Sequence, residues 1–560
     1  MRSSHEGEAV MPLRIIPLGG LGEFGLNSLL FDDGESAILV DAGLMFPDDT
    51  MLGIDFVIPD FGCLQEISHR LRALLLTHGH EDHIGAVSFL LKEIDLPVYG
   101  TPLTLGLLRN RLAEHGLDGV ARLVSMDRAG RFRIGDFDLE TFPVCHSIPG
   151  GVGFILRCRD GVFVHTGDFK IDTRPLDGVP TATEMLAEMA SREKVTALFS
   201  DSTNVERDGR SLPEAFVGEA LSEIFGGSAG RVIVAMFASN ILRIQEAINA
   251  AARNGRRVAL CGRSMVGNVG TAIELGYMKL PHPDILLPVE ETETLPGREV
   301  AVLTTGSQGE PRSALTLMAL GEHKHIRIRE GDTTILSSKF IPGNERAIAN
   351  VINHLFLAGA DVRYEKISEI HVSGHASREE LRSMVRLLHP EYFIPVHGEP
   401  RHLLMHKALA QELEVPHPEF VRNGEILVFS NGVMTREGEV PVGRLFVDGK
   451  GVGEVESVVL KDRFHLSNDG LVIVVLALAQ STGEIAYGPD IVTRGVVSEN
   501  ASDTIMEDAR QAVISAWREA DPEARKDAAE IKTVIRKALR RFFNKRLDRK
   551  PMIIPVLLEL

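Results

Sequence analysis

Apolar and polar positions along this chain repeat one unit: a short apolar run, a turn of Gly, Ser, Asn or Asp, then a stretch with helical spacing. Leu71 to Leu76 reads as a buried strand, Thr77 to Gly85 (THGHEDHIG) as a tight turn, and AVSFLLKEI as a helix. RFRIGDFDLETF alternates as a half-buried strand does, and GVFVHT and EYFIPV are further short strand-like runs. From about 206 to 365 strands and helices take turns through RVIVAMFASN, LRIQEAINAAARNGRRVALCG, REVAVLTTGSQGEPRSALTLMAL and TTILSSKFIPGNERAIANVINHLFLAGA. Such alternation predicts a parallel sheet with crossover helices. Residues 46–64 read as an acid-bearing surface loop, and 441–459 as a glycine-spaced linker. Beyond it LVIVVLALA, a helix-patterned stretch to about 546 and PMIIPVLLEL predict a small α/β domain.

The segment LRIIPLGGLGEFGLNSLLF places Gly20, Gly22 and Gly25 in a GxGxxG pattern after a strand, with Asp41 further on. A dinucleotide fingerprint needs a helix after those glycines. NSLLF is too short for one and runs into Asp32, Asp33 and Gly34, so a hairpin is expected instead.

At 560 residues, 44% of them hydrophobic, the chain is expected to form two to four domains. The net charge of -18 excludes a wholly basic nucleic-acid coat, so a polyanion would be gripped by local patches and metals. Cys63, Cys145, Cys158 and Cys261 show no CxxC spacing, which argues against a disulfide framework and for a reducing compartment. The run LVIVVLALA is short of a membrane span and MRSSHEGEAV lacks a signal-peptide core, so a soluble, cytoplasmic protein with no membrane partner is expected.

The chemistry concentrates in THGHEDHIG. His78, His80, His83 and Asp82 within six residues suit a borderline divalent metal, zinc first and manganese second. One turn cannot close two metal sites, so distant donors at strand ends are required. His146 in PVCHS, Asp168 in HTGDFK and His397 in PVHGE supply them.

In that order these residues resemble the metallo-β-lactamase superfamily, which implies an αββα sandwich. SDSTN, with Asp201, and HVSGH resemble motifs of its β-CASP subfamily. Across almost the whole chain GGLGEFGLN, THGHEDHIG, HTGDFK, SDSTN, MFASN, TTGSQGEP, HVSGHAS and PVHGE resemble the ribonuclease J family. The resemblance implies a mobile tail (1–11), a first part of the metallo-β-lactamase domain (12–205), an inserted β-CASP α/β domain (206–365), its second part (366–440), the linker, and a C-terminal oligomerisation domain (460–560). Insertion also follows from His397, which returns to the site only after the second domain.

The family reading assigns His78, His80 and His146 to one metal and Asp82, His83 and His397 to the other, with Asp168 bridging; two Zn2+ are implied, Mn2+ or Mg2+ in place of or alongside them. Two metals about 3.5 to 4 Å apart activate a water for in-line attack on a phosphodiester, leaving 5′-phosphate and 3′-hydroxyl ends. His375 is the candidate proton donor, His371 the second candidate, and Asp201 orients a metal-bound histidine. Phe237, Ala238, Ser239, His371, Val372, Ser373, Gly374 and His375 resemble a pocket for the terminal phosphate and its nucleotide. Leu52 and Ile54 carbonyls with Asp448 match a structural Ca2+ site of relatives. The implied activity is 5′-to-3′ exonuclease action on single-stranded, 5′-monophosphorylated RNA with endonuclease action besides, in RNA maturation and mRNA decay, by a homodimer or homotetramer with RNA-degradation protein partners. His397 favours RNA, since DNA-acting relatives carry Val there. The alternatives are a DNA 5′ exonuclease and an inactive scaffold, the latter opposed by the full set of seven ligands. The segment IRKALRRFFNKRLDRK either faces RNA or is a solvated face whose apolar side packs on its own domain.

Overall fold

The computed structural model describes residues 11–560 apart from 49, 342, 365–371, 450, 454–456, 480–481 and 498–501, so the expected tail lies outside it as far as residue 10. The chain forms two compact units, one of Phe56–Leu445 with the N-terminal segment to Phe46, the other of Pro47–Asp55 with Phe446–Leu560.

The first unit holds two facing sheets. One runs across its width through Val433–Glu439, Glu425–Ser430, Leu13–Gly19, Ser28–Asp32, Ala37–Val40, Leu71–Leu75, Val98–Gly100 and Leu123–Ser125. The other runs through His417–Pro418, Tyr392–Val396, Ala197–Asp201, Gly161–His165, Val152–Cys158, Phe137–Pro143 and Arg131–Ile134. Their inner faces share one core: Ile15, Phe31, Ile38 and Leu75 from the first meet Leu139, Phe154, Phe163, Phe199 and Ile394 from the second. The outer face of the second sheet packs Ile155, Leu198 and Phe393 against Leu186, Leu381, Met384 and Leu409 of helices Thr183–Arg192, Arg378–Leu388 and Pro400–Glu412. Helices on sheets on helices is the αββα sandwich. The glycine-rich segment is a hairpin, Arg14 pairing with Asp32 and Ile16 with Leu30 in antiparallel register, with no helix after the glycines.

Ala197–Asp201 pairs in parallel with Tyr392–Val396, residues that come after a third sheet in sequence. That sheet, in the order Leu286–Leu287, Arg257–Cys261, Val300–Thr304, Val232–Ala235, Thr333–Leu336, Asp361–Arg363, is parallel throughout. Its central strands VIVA, VAVLT and TTIL are buried at every position, as crossover helices on both faces require.

In the second unit Leu471–Leu478 lies between Ile485–Arg494, antiparallel, and Met552–Glu559, parallel. One face is covered by helices Ser502–Glu519 and Ala528–Leu547, whose Ile531, Ile535, Leu539 and Phe543 form a buried i, i+4 stripe. The basic segment is therefore apolar on the side that packs on its own sheet. The stretch expected as a linker instead contains strand Arg444–Asp448, whose Val447 pairs with Val452, and the loop expected over 46–64 contains strand Phe56–Pro59 and the start of helix Gly62–Ile67. The β-branched and aromatic residues of FVIP and RLFV outweigh the glycines and acids around them. The four cysteines are unpaired. Among the described residues no helix is long and apolar enough to cross a membrane.

Candidate metal centre

The turn after Leu71–Leu75 is held from below by Asp41, the last residue of the neighbouring strand run. Asp41 takes a left-handed φ of 61°, accepts hydrogen bonds from the Thr77 amide and hydroxyl (2.8 Å each), and meets His83 Nδ1 at 2.7 Å. This carboxylate fixes the ring of His83 and leaves Nε2 directed at the site. Gly43 must be glycine, because a Cβ there would lie 1.6 Å from the carbonyl oxygen of Asp82.

Two donor groups converge. His78 Nε2 and His146 Nε2 stand 2.9 and 3.1 Å from His80 Nδ1. Nitrogens bound tetrahedrally to one ion at zinc distances lie about 3.3 Å apart, so these rings are already near ligand spacing. On the other side His83 Nε2 and His397 Nε2 stand 3.6 and 3.4 Å from Asp82 Oδ2. Asp168 Oδ2 lies between the groups, 3.7 Å from both His78 Nε2 and His146 Nε2 and 3.3 Å from His83 Nε2. It is buried and has no hydrogen-bond partner of good geometry, which suits a carboxylate oxygen placed to take a cation. The two groups, His78–His80–His146–Asp168 and Asp82–His83–Asp168–His397, share that one residue.

Electrostatics split the donors: burial disfavours charge on His83 and His397, but Asp168 and its neighbouring carboxylates raise the first well above the ordinary histidine value and the second to about 10, so these two rings release a proton when they bind an ion. Burial, then neighbouring imidazoles, hold His78 well below the ordinary histidine value, and burial holds His80 down to about 4, so both rings present neutral lone pairs. Asp168 is also penalised by burial, but His397 and His83 outweigh that and keep it ionised.

Asp201, expected to orient a metal-bound histidine, lies in a third cluster with Asp168, His375 and His397. Its Oδ2 meets Nδ1 of His375 at 2.8 Å, whereas its approach to the metal-side His397 is 3.7 Å. Burial disfavours the imidazolium of His375, yet Asp201 and Asp168 together raise its pKa above the ordinary value. His375 ends a loop pressed onto the site: His146 Nδ1 donates to the Gly374 carbonyl at 2.8 Å, and a Cβ on Gly374 would sit 2.7 Å from that ring. Ser373 Oγ accepts from the His375 amide, leaving its hydroxyl proton for another partner. Val372 is buried, and His371 lies outside the described residues.

Phe237, Ala238 and Ser239 form the turn after strand Val232–Ala235, where Asn240 caps helix Ile241–Arg253 and Asn268 Nδ2 holds the Ala238 carbonyl at 3.1 Å. Arg243 of that helix donates to the Val372 carbonyl at 2.9 Å, which links the helix after the first segment to the second. Leu52 and Asp448 also come together, but around Arg463: its guanidinium donates to the Leu52 carbonyl at 3.0 Å and to Asp448 Oδ2 at 2.5 Å. Gly53, at φ 77°, leaves room for that group, since a Cβ there would lie 2.7 Å from Arg463 Nη1. A monovalent cation of the chain itself occupies these donors, and as arranged they do not fit Ca2+, which takes six to eight oxygens.

Sequence reasoning missed Asp41 as a support of His83; its place at the end of an apolar run just before the histidine turn in space was the available signal. It also missed Asn27, whose Nδ2 stands 3.2 Å from His83 Nε2, and Arg243, for which no signal existed.

Residues 21–182 match the metallo-beta-lactamase superfamily, 229–355 the ribonuclease J beta-CASP domain, 359–417 the Zn-dependent metallo-hydrolase RNA specificity domain, and 458–560 the ribonuclease J C-terminal domain. Ribonuclease J of Thermus thermophilus is 41% identical over 98% of this chain and 95% of its own length. Ribonuclease J2 of Bacillus subtilis is 40% identical over 98% of both chains. A crystal structure of a protein of unknown function from Enterococcus faecalis aligns with 75% of this chain and all of its own, at a TM-score of 0.54 and 15% identity, and shares the fold.

Proposed function

This chain belongs to the ribonuclease J family of metal-dependent, RNA-binding hydrolases, and on that premise we propose that it degrades single-stranded RNA from a 5′-monophosphate end, one nucleotide at a time, and also cuts internally. The observation that carries the catalytic reading is the buried, unserved Asp168 Oδ2 between two sets of histidines. We assign two ions, zinc by donor chemistry, to these sets. Bound there, they would lower the pKa of an attacking water and stabilise charge on the phosphoryl oxygens.

The chain's own groups do the rest. Asp41 holds His83 through Nδ1, and the Gly374 carbonyl holds His146 through Nδ1, so these two donors need not reorganise during attack. His375, with its Nδ1 on Asp201 and its pKa raised there, is the group placed to give a proton to the departing 3′-oxygen. The hydroxyls of Ser239 and Ser373 and the main chain at Gly374 give donors for one terminal phosphate. A terminal phosphate anchored there would set the first linkage over the metals and make each cut release a monomer.

A second copy of this chain is proposed on the open face of the C-terminal sheet, where Val492, Ile554, Val556 and Leu558 are 36 to 49% exposed while Ile553 between them is buried. The test of function is a matched digest of one sequence as RNA and DNA, the RNA carrying 5′-hydroxyl, monophosphate or triphosphate. RNA is expected to be consumed fastest from the monophosphate; equal rates on all three ends overturn end recognition, and equal rates on DNA overturn the substrate class.

A further inference from the structure

Lys170, Asp172, Glu214 and Arg243 form one buried charge cluster in the first unit, away from the metal ligands' donor atoms, each at most 4% exposed. Lys170 meets Asp172 at 3.2 Å and Glu214 at 3.8 Å, and Glu214 meets Arg243 at 2.7 Å. Two cations and two carboxylates balance, as buried charge must. Such a group is costly to bury, and an apolar set of the same volume would serve packing as well. Its geometry gives it a different use.

Arg243 is the residue with reach. Its Nε donates to Glu214 at 2.8 Å, Nη1 to the Ser337 carbonyl at 2.9 Å and Nη2 to the Val372 carbonyl at 2.9 Å. Its own amide is bonded to the side chain of Asn240, which ends the Phe237–Ser239 turn. One rigid, planar fork thus joins Glu214, the turn after Thr333–Leu336 and the loop that carries Ser373 and Gly374, from a helix whose first turn is capped by Asn240 beside Phe237–Ser239. The far end of that loop is held separately, Gly374 by His146 and His375 by Asp201. The loop therefore has two independent anchors, one on the metal centre and one on the inserted domain.

We propose that Arg243, locked by Glu214, is the positioning residue for recognition of the RNA 5′ end: it sets the spacing between Ser239 and Ser373 while the chemistry is anchored elsewhere. This rests on the end-recognition reading above. A lysine at 243 keeps the charge but presents one ammonium on a flexible stem, which cannot hold an acceptor on each of three segments. The Val372 end of the loop then loosens, and His375 and His146 stay in place.

The experiment compares full-length wild type with Arg243→Lys, and with the double variant Arg243→Met, Glu214→Met, which removes the pair together, leaves Lys170 and Asp172 to balance each other, and keeps the fold if lysine does not. Three RNAs of one sequence are used: linear with a 5′-monophosphate, linear with a 5′-hydroxyl, and circular, which has no end to read. The expected result is a monophosphate-to-hydroxyl rate ratio reduced about tenfold, as loss of a charged hydrogen bond predicts. It should come mainly from a raised KM on the monophosphate, with a much smaller loss on the circle. Variants that keep the wild-type ratio, or lose activity in equal proportion on all three RNAs, overturn the inference. A wild type without end preference overturns the end-recognition reading itself, and this inference with it.

Discussion

The metal centre and the C-terminal sheet are built to opposite standards of completeness. Around the metals four of the donor rings have a second contact within the same chain: His78 Nδ1 on Thr77, His83 on Asp41, His146 on Gly374, His397 Nδ1 on Asp168 Oδ1 at 2.8 Å. The C-terminal sheet has one face packed on Ile531, Ile535, Leu539 and Phe543, and leaves its other face apolar and open. Burial finished within one chain gives precision; apolar surface left over asks for a partner.

The sharpest way to break the contrast is at Asp168. Asp168→Ala removes the donor common to both groups and is expected to lower cleavage by about three orders of magnitude or more, as loss of metal-based charge stabilisation does. Chelation should do the same to wild type, with far-UV circular dichroism unchanged in both cases. Full turnover by metal-depleted protein would end the metal reading. Asp41→Asn tests the support one step back and should weaken metal affinity and activity about ten- to a hundredfold, with activity recovered as zinc is titrated in. Activity that stays low at saturating metal would mean that Asp41 holds the fold and not the ion.

On the other side of the comparison, ending the chain before Ser457 should leave the metal ligands intact and convert an oligomer into a monomer, with a smaller loss of activity. Val556→Lys should do so without truncation. Light scattering decides, and an unchanged mass would show that the open face is not the contact.

The smallest effect concerns the buried ring behind Asp201. His406 is fully buried with Nδ1 at 3.0 Å from Ser202 Oγ, and burial pushes its pKa down to about 3 from 6.5. Above about pH 6.5 both folded and unfolded chains leave it neutral and its contribution is intact. Below that the unfolded chain binds a proton that the folded one refuses, so stability is lost, by up to about 1.4 kcal/mol per pH unit, until the folded pKa is reached. His406→Gln should therefore flatten the fall in melting temperature between about pH 6.5 and 5. A slope equal to that of wild type would show that the ring is not kept neutral.

What could be read in advance follows from how local each signal is. THGHEDHIG packs four donors into one turn, and strand–turn–helix patterning fixes where it sits. The parallel sheet was legible because strand-like and helical stretches take turns from about 206 to 365, as crossover connections between parallel strands require. Asp41 was seen at its strand end, but its meaning depends on Thr77 and His83, which only the sheet brings beside it. Arg243 gave no signal, since its partners include main-chain oxygens 94 and 129 residues away, and any residue type supplies a carbonyl. At the expected Ca2+ cradle Leu52 and Asp448 are placed as the resemblance implies, and the arginine between them, Arg463 of helix Ser457–Asp469, carried no signal of that position in the sequence.

The interruption of the second sheet sets a timetable for synthesis. Ala197–Asp201 waits for Tyr392–Val396, and His397, the last donor, follows directly. At roughly 5 to 20 residues per second, a ribosome needs on the order of 15 to 60 s between His78 and His397. Throughout that interval the growing chain lacks one metal donor, so the nascent copy has no finished centre while its own message is being read.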